Sequence, residues 1–144
     1  MDNSTTEHLD NILSKINSEK RMAAFMKSPK ITDNFTSFSE YFASLEAVQA
    51  IGNSELIRKS SLERSYYYQI MKGTKKPGRD KVLRLCLAAG LNLRQTKRAL
   101  ELSGNAVLYS RNPRDIILAF AINQESGVIE TNLLLNKYGE HPLT

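Results

Sequence analysis

The chain has 144 residues, of which 41% are hydrophobic and 24% charged, and its formal net charge is +5 at pH 7. This length suits one domain with appended elements, and the apolar content is sufficient for an ordinary core. The longest apolar run, 116–122, is far shorter than the roughly 20 residues that cross a bilayer. The N-terminus lacks the basic and apolar regions of a secretion signal, so we expect a soluble cytoplasmic protein.

The positive charge is concentrated in residues 55–84. This segment contains nine cations and three anions, a net charge of +6, so the remainder of the chain sums to −1. Such clustering indicates an anionic polymer as partner. The alternative is a solvated helical face, and we assign Arg79, Lys81 and Arg84 to such a face.

The sequence predicts helices throughout and shows no sustained two-residue alternation that would favour a sheet. Short amphipathic helices are expected at 9–16 and 22–26, followed by a linker at 28–36. A third helix ends near Gly52. Its predicted inner face consists of Phe38, Phe42, Leu45 and Val48.

Two short helices follow. Asn53 or Ser54 is expected to cap the first, and the second covers 63–72 and ends at Gly73, a residue suited to the left-handed conformation. Residues 74–77 then form a basic loop.

The next helix lies between Gly78 and Gly90. It contains Cys86, the single cysteine, which is surrounded by leucines and alanines and is expected to be a buried thiol. Asn92 begins another helix, with Gln95 as its capping-box partner.

Two C-terminal helices complete the chain. Asn112 followed by Pro113 is a strong helix start, and the last helix covers 127–138 and ends at Gly139. The predicted buried stripe of the first of these helices is Ile116, Ile117, Phe120 and Ala121. The pair either caps the core or packs against a second subunit, and we favour a homodimer.

Catalysis is not indicated by the sequence. The two histidines, His8 and His141, lie near opposite termini, and neither has metal-ligand spacing with another histidine or a cysteine. The seven glycines fall at helix ends, and no phosphate-binding glycine loop is present. We therefore expect neither enzymatic activity, nor a metal site, nor a cofactor, and the sequence indicates no small-molecule effector.

Residues 53–72 have the pattern of a helix-turn-helix. Two short helices that cross steeply need apolar residues at the fourth, tenth, fifteenth and eighteenth positions of the unit. Those positions are held by Leu56, Leu62, Tyr67 and Ile70. Of the three consecutive tyrosines 66–68, the middle one is therefore predicted to enter the core.

The second helix of such a unit lies in the major groove of DNA. The residues predicted to face base edges are Arg64, Ser65, Tyr68 and Gln69. Arginine can bond guanine O6 and N7, and glutamine can bond adenine N6 and N7. For Tyr68 the sequence leaves two roles open, contact with DNA and packing on a neighbouring helix.

Residues 38–104 resemble a lambda-repressor-like DNA-binding domain of the xenobiotic-response-element (Cro and phage-repressor) family. The matching segments are SELIRKS at 54–60, LERS at 62–65, IMKGTKKP at 70–77 and LRLCLAAGL at 83–91. The resemblance implies a five-helix all-α domain that acts as a dimer on double-stranded operator DNA. It also implies phosphate contacts from Asn53, Ser54, Lys72, Lys75 and Lys76.

The chain departs from the family pattern in the first helix and the turn. Ile57 stands where a small residue is usual, and Ser60 and Ser61 stand where an apolar residue and a glycine are usual. Since serines can satisfy backbone groups locally, we expect an altered helix crossing. Glu63 favours the helix dipole but repels phosphate.

The sequence thus predicts an N-terminal helical extension with a linker (1–37), a DNA-binding domain (38–104) and a C-terminal helix pair (105–144). The function predicted is a DNA-binding transcriptional regulator. The main alternative is a protein-interaction module, antitoxin-like or adaptor, that uses a degenerate helix-turn-helix as scaffold. Exposed tyrosines favour this alternative, because tyrosine is common in protein interfaces. RNA binding is a third hypothesis, although the sequence contains no recognised RNA-binding motif.

Overall fold

The computed structural model describes residues 35–144, and the fold is all-helical in this range. Its helices are α1 (Phe38–Ser44), α2 (Glu46–Ile51), α3 (Asn53–Ser60), α4 (Arg64–Met71), α5 (Arg79–Ala89), α6 (Leu93–Leu102), α7 (Pro113–Asn123) and α8 (Val128–Lys137). Residues 36–144 form one compact unit. The helices predicted at 9–16 and 22–26, and most of the predicted linker at 28–36, lie outside the described residues.

Side-chain caps fix several helix starts. The Asn92 side chain accepts a hydrogen bond from the Gln95 N–H at 2.8 Å, and the Gln95 side chain accepts one from the Asn92 N–H at 3.1 Å. The Asn112 side chain accepts from the Asp115 N–H at 3.0 Å, with Pro113 at the first helical position. These two predicted starts are confirmed, and each satisfies backbone donors that the first helical turn leaves unpaired.

The predicted third helix is divided in two. Leu45 is extended, with φ −73° and ψ 134°, and separates α1 from α2. The Ser44 hydroxyl donates to the Tyr41 carbonyl at 2.6 Å, a local bond of the kind that competes with helix continuation. Phe38, Phe42 and Val48 are buried as predicted, whereas Leu45 is only half-buried.

Helix α5 is the centre of the core. It packs against α2, α3, α6 and α8, and so it is apolar on almost every side. Its buried residues are Val82, Leu83, Leu85, Cys86, Leu87, Ala88 and Ala89. The predicted burial of Cys86 is confirmed, and this burial raises the pKa of its thiol to about 12.

Helices α7 and α8 pack against each other, and α8 also packs against α5. Of the predicted inner stripe of α7, Ala121 is buried and Ile117 is half-buried, whereas the prediction is wrong for Ile116 and Phe120. The buried residues of α7 are Asp115, Leu118, Ala121 and Ile122, while Ile116 and Phe120 are 51% and 52% exposed. The helix is rotated about its axis relative to the predicted orientation. An apolar pattern would place Asp115 on the outer face, but here Asp115 is buried because it pairs with Arg79 of α5.

Two identical Arg-Asp dipeptides join the starts of α5 and α7. Arg79 pairs with Asp115, and Arg114 pairs with Asp80, each through two hydrogen bonds of 2.8–3.1 Å. The C-terminal residues attach to the second pair, since the Thr144 N–H and hydroxyl donate to Asp80 at 3.1 and 3.2 Å. Together these bonds hold the C-terminal helix pair and the end of the chain on α5.

Within residues 35–144, no helix is both long and apolar enough to cross a membrane.

Candidate nucleic-acid interface

Helices α3 and α4 are joined by a short turn, 61–63. The four residues that the spacing predicts to face inward are all buried: Leu56, Leu62, Tyr67 and Ile70. Tyr67 is therefore the tyrosine of the 66–68 run that enters the core, as predicted. With the inner face of α4 fixed in this way, the opposite face is free to meet a partner.

The turn is built from two serines and an arginine of another helix. Ser60 is buried and its hydroxyl donates to the Ile57 carbonyl at 3.2 Å, while Ser61 has a left-handed backbone with φ 58°. Arg84 donates to the Ser60 and Ser61 carbonyls at 2.9 and 2.6 Å. The assignment of Arg84 to a solvated face is therefore wrong, because this side chain fixes the turn before α4.

Arg79 is a second correction to the predicted solvated face. Its guanidinium donates to both Asp115 oxygens and to the carbonyls of Ala106 and Val107. Of the cations between residues 55 and 84, Arg79 and Arg84 thus stabilise the fold. The exposed cations of this segment lie in the last turn of α3, on α4 and in the residues after it: Arg58, Lys59, Arg64, Lys72, Lys75 and Lys76.

The outer side of α4 carries the predicted base-contact residues. Arg64, Ser65 and Gln69 are exposed, whereas Tyr68 is half-buried. The Tyr68 ring meets the ring of Tyr67 edge to face, with centroids 5.3 Å apart. The Ser65 hydroxyl donates to Glu63 at 2.5 Å. Three of the four predicted residues are therefore exposed, one of them with its hydroxyl bonded to Glu63, and the fourth packs against the buried tyrosine.

The basic loop after α4 is ordered by one carbonyl. The Gln69 carbonyl accepts from the N–H groups of Thr74 and Lys75 at 3.0 and 3.2 Å, and from the Thr74 hydroxyl at 3.1 Å. Gly73 permits this reversal with φ 80°, as predicted for the residue that ends the helix. Lys72, Lys75 and Lys76 are exposed on this ordered loop, and the Lys76 side chain lies against Gly104 at the end of α6.

Asn53 has a different local role from the one predicted. Gly52, with φ 84°, occupies the cap position of α3, and neither Asn53 nor Ser54 supplies a side-chain cap. Asn53 is the first helical residue, and its Oδ1 accepts a hydrogen bond from the Tyr67 hydroxyl at 2.7 Å. Burial raises the pKa of Tyr67, and the nearby Tyr68 adds to the effect, so the hydroxyl stays protonated as the donor.

This hydrogen bond connects the starting residue of α3 with the interior of α4. Because the Asn53 oxygen is the acceptor for Tyr67, the amide N–H groups of the same side chain take no part in this bond. Asn53 and the adjacent Ser54 are exposed at the beginning of α3. Sequence reasoning missed the role of the Tyr67 hydroxyl, since spacing predicts a buried ring but gives no partner for its polar end.

Within residues 35–144, no cluster of three or more histidine, cysteine, aspartate or glutamate side chains could hold a metal ion. The chain was compared with models of protein families, with curated proteins and with solved structures, and none of the three comparisons found a match.

Proposed function

We propose that the protein is a cytoplasmic transcriptional regulator that binds double-stranded DNA with α4 in the major groove. The observation that carries the proposal is the division of α4 into two faces. Tyr67 and Ile70 are buried on one side, while Arg64, Ser65 and Gln69 are exposed on the other. In this proposal residues 38–104 form the five-helix lambda-repressor-like core, with its first helix divided at Leu45.

Base readout is assigned to the outer face of α4. Arg64 bonds guanine O6 and N7, and Gln69 bonds adenine N6 and N7, each pair contributing about 1–3 kcal/mol of discrimination. Ser65 and Tyr68 lie on the same side of the helix and contact the neighbouring bases. Tyr68 is half-buried, and its exposed part is assigned to contact with a thymine methyl group or a sugar.

Phosphate contacts are assigned to residues on either side of α4. Lys72, Lys75 and Lys76 approach one strand from the loop that the Gln69 carbonyl orders. Asn53 and Ser54 approach the phosphates from the start of α3. Such contacts set affinity and orientation, whereas the base contacts set sequence preference.

The test begins with selection of bound fragments from a random duplex library. Affinity is then measured for the selected duplex and for an unrelated duplex over a salt series. Arg64→Ala and Gln69→Ala should weaken binding to the selected duplex by about tenfold or more and leave the unrelated duplex almost unaffected. Lys75→Ala and Lys76→Ala should weaken both alike and reduce the salt slope by about one each.

Equal effects of the two pairs of variants on both duplexes would contradict base readout. Failure to enrich any duplex at low salt would contradict the proposal as a whole. The second candidate, a protein-interaction module of the antitoxin-like or adaptor kind, would then be favoured. The observation behind that candidate is the set of apolar side chains that the C-terminal helices expose: Ile116, Phe120, Ile129 and Leu133.

A further inference from the structure

The chain that leaves α6 contacts the end of the basic loop. Gly104 lies against the Lys76 side chain, and a Cβ atom at Gly104 would be 3.0 Å from Lys76 Nζ. One position on, the Asn105 side chain donates from Nδ2 to the Pro77 carbonyl at 3.2 Å. Arg79 then donates to the carbonyls of the two residues after Asn105, at 2.9 and 3.1 Å. The two segments thus meet at three successive points.

Asn105 is itself fixed at the end of α6. Its backbone N–H donates to the Leu100 carbonyl at 2.9 Å, and its Nδ2 donates to the Ser103 hydroxyl at 2.9 Å. Ser103 is buried, and its hydroxyl donates to the carbonyls of Ala99 and Leu100 at 2.9 and 3.0 Å. The Asn105 side chain is therefore a donor held by α6 that reaches the Pro77 carbonyl.

The basic loop consequently has an anchor at each end. The Gln69 carbonyl accepts from the N–H groups of Thr74 and Lys75, and this first anchor belongs to α4. The second anchor is the bond from Asn105 to the carbonyl of Pro77, a buried residue. Proline fixes its own φ and restricts the preceding residue to extended backbone. The path of the chain from Lys75 to Pro77 therefore depends on both anchors.

We propose that Asn105 positions the basic loop for phosphate contact, so that the segment leading into the C-terminal helix pair acts on DNA binding through this loop. The inference deepens the proposed function and rests on it for the phosphate contact of Lys75. Without the Asn105 donor, the Pro77 carbonyl loses its hydrogen bond, and a shift of the loop toward water replaces it. The Lys75 ammonium is then no longer presented at one position.

The first experiment tests the anchor without DNA. Trypsin cleaves after lysine, and the 72–73 and 75–76 peptide bonds lie in this exposed segment. Asn105→Ala should raise the rate of cleavage there by about threefold to tenfold, the range that corresponds to one hydrogen bond. Thr131→Val is the matched control. It removes the bond from a buried hydroxyl of α8 to the Gly127 carbonyl at 2.7 Å and should leave cleavage of the loop unchanged.

The second experiment measures affinity for the selected duplex and for an unrelated duplex over a salt series. Asn105→Ala should weaken binding to both by about threefold to tenfold and reduce the salt slope by up to about one, with an unchanged sequence preference. Thr131→Val should bind both duplexes as the native protein does. Lys75→Ala should cost less affinity in the Asn105→Ala background than in the native chain, because Asn105 acts through this lysine.

Three results would overturn the inference. These are cleavage of the Asn105→Ala loop at the native rate, an equal rise in cleavage in Thr131→Val, and native affinity of Asn105→Ala for both duplexes. Circular dichroism checks that the variants are folded. Should Asn105→Ala not fold, Asn105→Ser gives the same decision, since its hydroxyl ends one bond short of the amide nitrogen and loses the Pro77 carbonyl.

Failure of the proposed function has a different signature. If the native chain selects no duplex while Asn105→Ala is still cleaved faster than Thr131→Val, the phosphate contacts are overturned together with the proposed function, and the anchor of the loop stands. If the native chain selects a duplex and Asn105→Ala binds it equally well, the proposed function stands and the positioning role of Asn105 is overturned.

Discussion

Arg79 and Asp115 form a two-pronged ion pair between α5 and α7, with Nη1–Oδ1 and Nη2–Oδ2 distances of 2.9 and 2.8 Å. Asp115 is only 4% exposed and also accepts the Tyr109 N–H at 2.9 Å. The carboxylate is therefore surrounded by donors. This pair and the neighbouring Asp80–Arg114 pair attach the C-terminal helices to the central helix of the core.

Arg79→Met should destabilise the fold by about 3 kcal/mol, because it leaves the buried Asp115 carboxylate without its cation. Urea denaturation followed by circular dichroism measures this change. Arg58→Met is the matched control, since Arg58 pairs with Glu55 on the open surface at 2.6 Å. The control should have almost no effect, and an equal loss in the two variants would contradict a structural role for the buried pair.

Acid should weaken the same attachment. Burial is the largest single influence on Asp80 and Asp115 and opposes their ionisation. The arginine hydrogen bonds and charges, together with the N–H groups of Thr144 and Tyr109, outweigh it, so the pKa of each carboxyl is lower in the folded chain than its ordinary value. Their contribution to stability is therefore complete above the unfolded pKa of about 3.9. It is lost as the pH falls through the lower folded pKa.

Urea denaturation at a series of pH values from neutral to strongly acid measures this dependence. The native protein should lose stability steeply below about pH 4. Asp115→Asn should be less stable at neutral pH and should show a shallower acid slope. Parallel slopes in the two proteins would contradict the assignment to Asp115.

Helix starts and the core of α3 and α4 were predictable because their signals are local. Asn92 with Gln95 and Asn112 with Pro113 act within one helical turn, and the spacing of Leu56 and Tyr67 follows from the geometry of two short crossing helices. The residues responsible are neighbours in sequence or lie in one short unit, so periodicity and capping rules apply to them directly.

The phase of α7 and the role of Arg84 could not be predicted in the same way. Both depend on contacts between segments more than 20 residues apart: Arg79 with Asp115, and Arg84 with the turn at Ser60. A helix with apolar residues on several sides has no single stripe from which the buried face can be predicted. In α7 the ion pair between Arg79 and Asp115 determines which face is buried. The repeated Arg-Asp dipeptide at two helix starts was the signal that could have indicated the crossed pairing.

Ser61→Gly should stabilise the protein by about 0.5–1 kcal/mol, because a left-handed backbone is costly for a residue with a side chain and free for glycine. The bond from Arg84 to the Ser61 carbonyl is kept, since it uses the backbone. The thermal midpoint measures the change. Ser54→Gly, within the helical part of α3, is the control and should lower the midpoint, because glycine disfavours helix.

Cys86 should not react with a thiol reagent in the folded protein. The side chain is fully buried, and with a pKa of about 12 almost no thiolate is present at neutral pH. Labelling with a chromogenic disulfide should therefore be slow in buffer. In denaturing urea it should be complete before the first absorbance reading. Rapid stoichiometric labelling in buffer alone would show that α5 is not the closed core helix described above.

Tyr67→Phe should weaken DNA binding while the protein remains folded. The ring remains to fill the core, but the hydrogen bond from its hydroxyl to Asn53 Oδ1 is lost, and this bond no longer holds the Asn53 side chain. If Asn53 bonds a phosphate, the variant should bind the selected and the unrelated duplex more weakly by a similar factor, with an unchanged sequence preference.

Asn53→Ala should weaken duplex binding at least as much as Tyr67→Phe, and the double variant should bind no more weakly than Asn53→Ala alone. Such non-additivity is expected when one side chain acts through the other. Fluorescence anisotropy on both duplexes gives the affinities, and urea denaturation checks that the variants remain folded. Additive losses, or a change in sequence preference in Tyr67→Phe, would contradict positioning of Asn53 by the buried tyrosine.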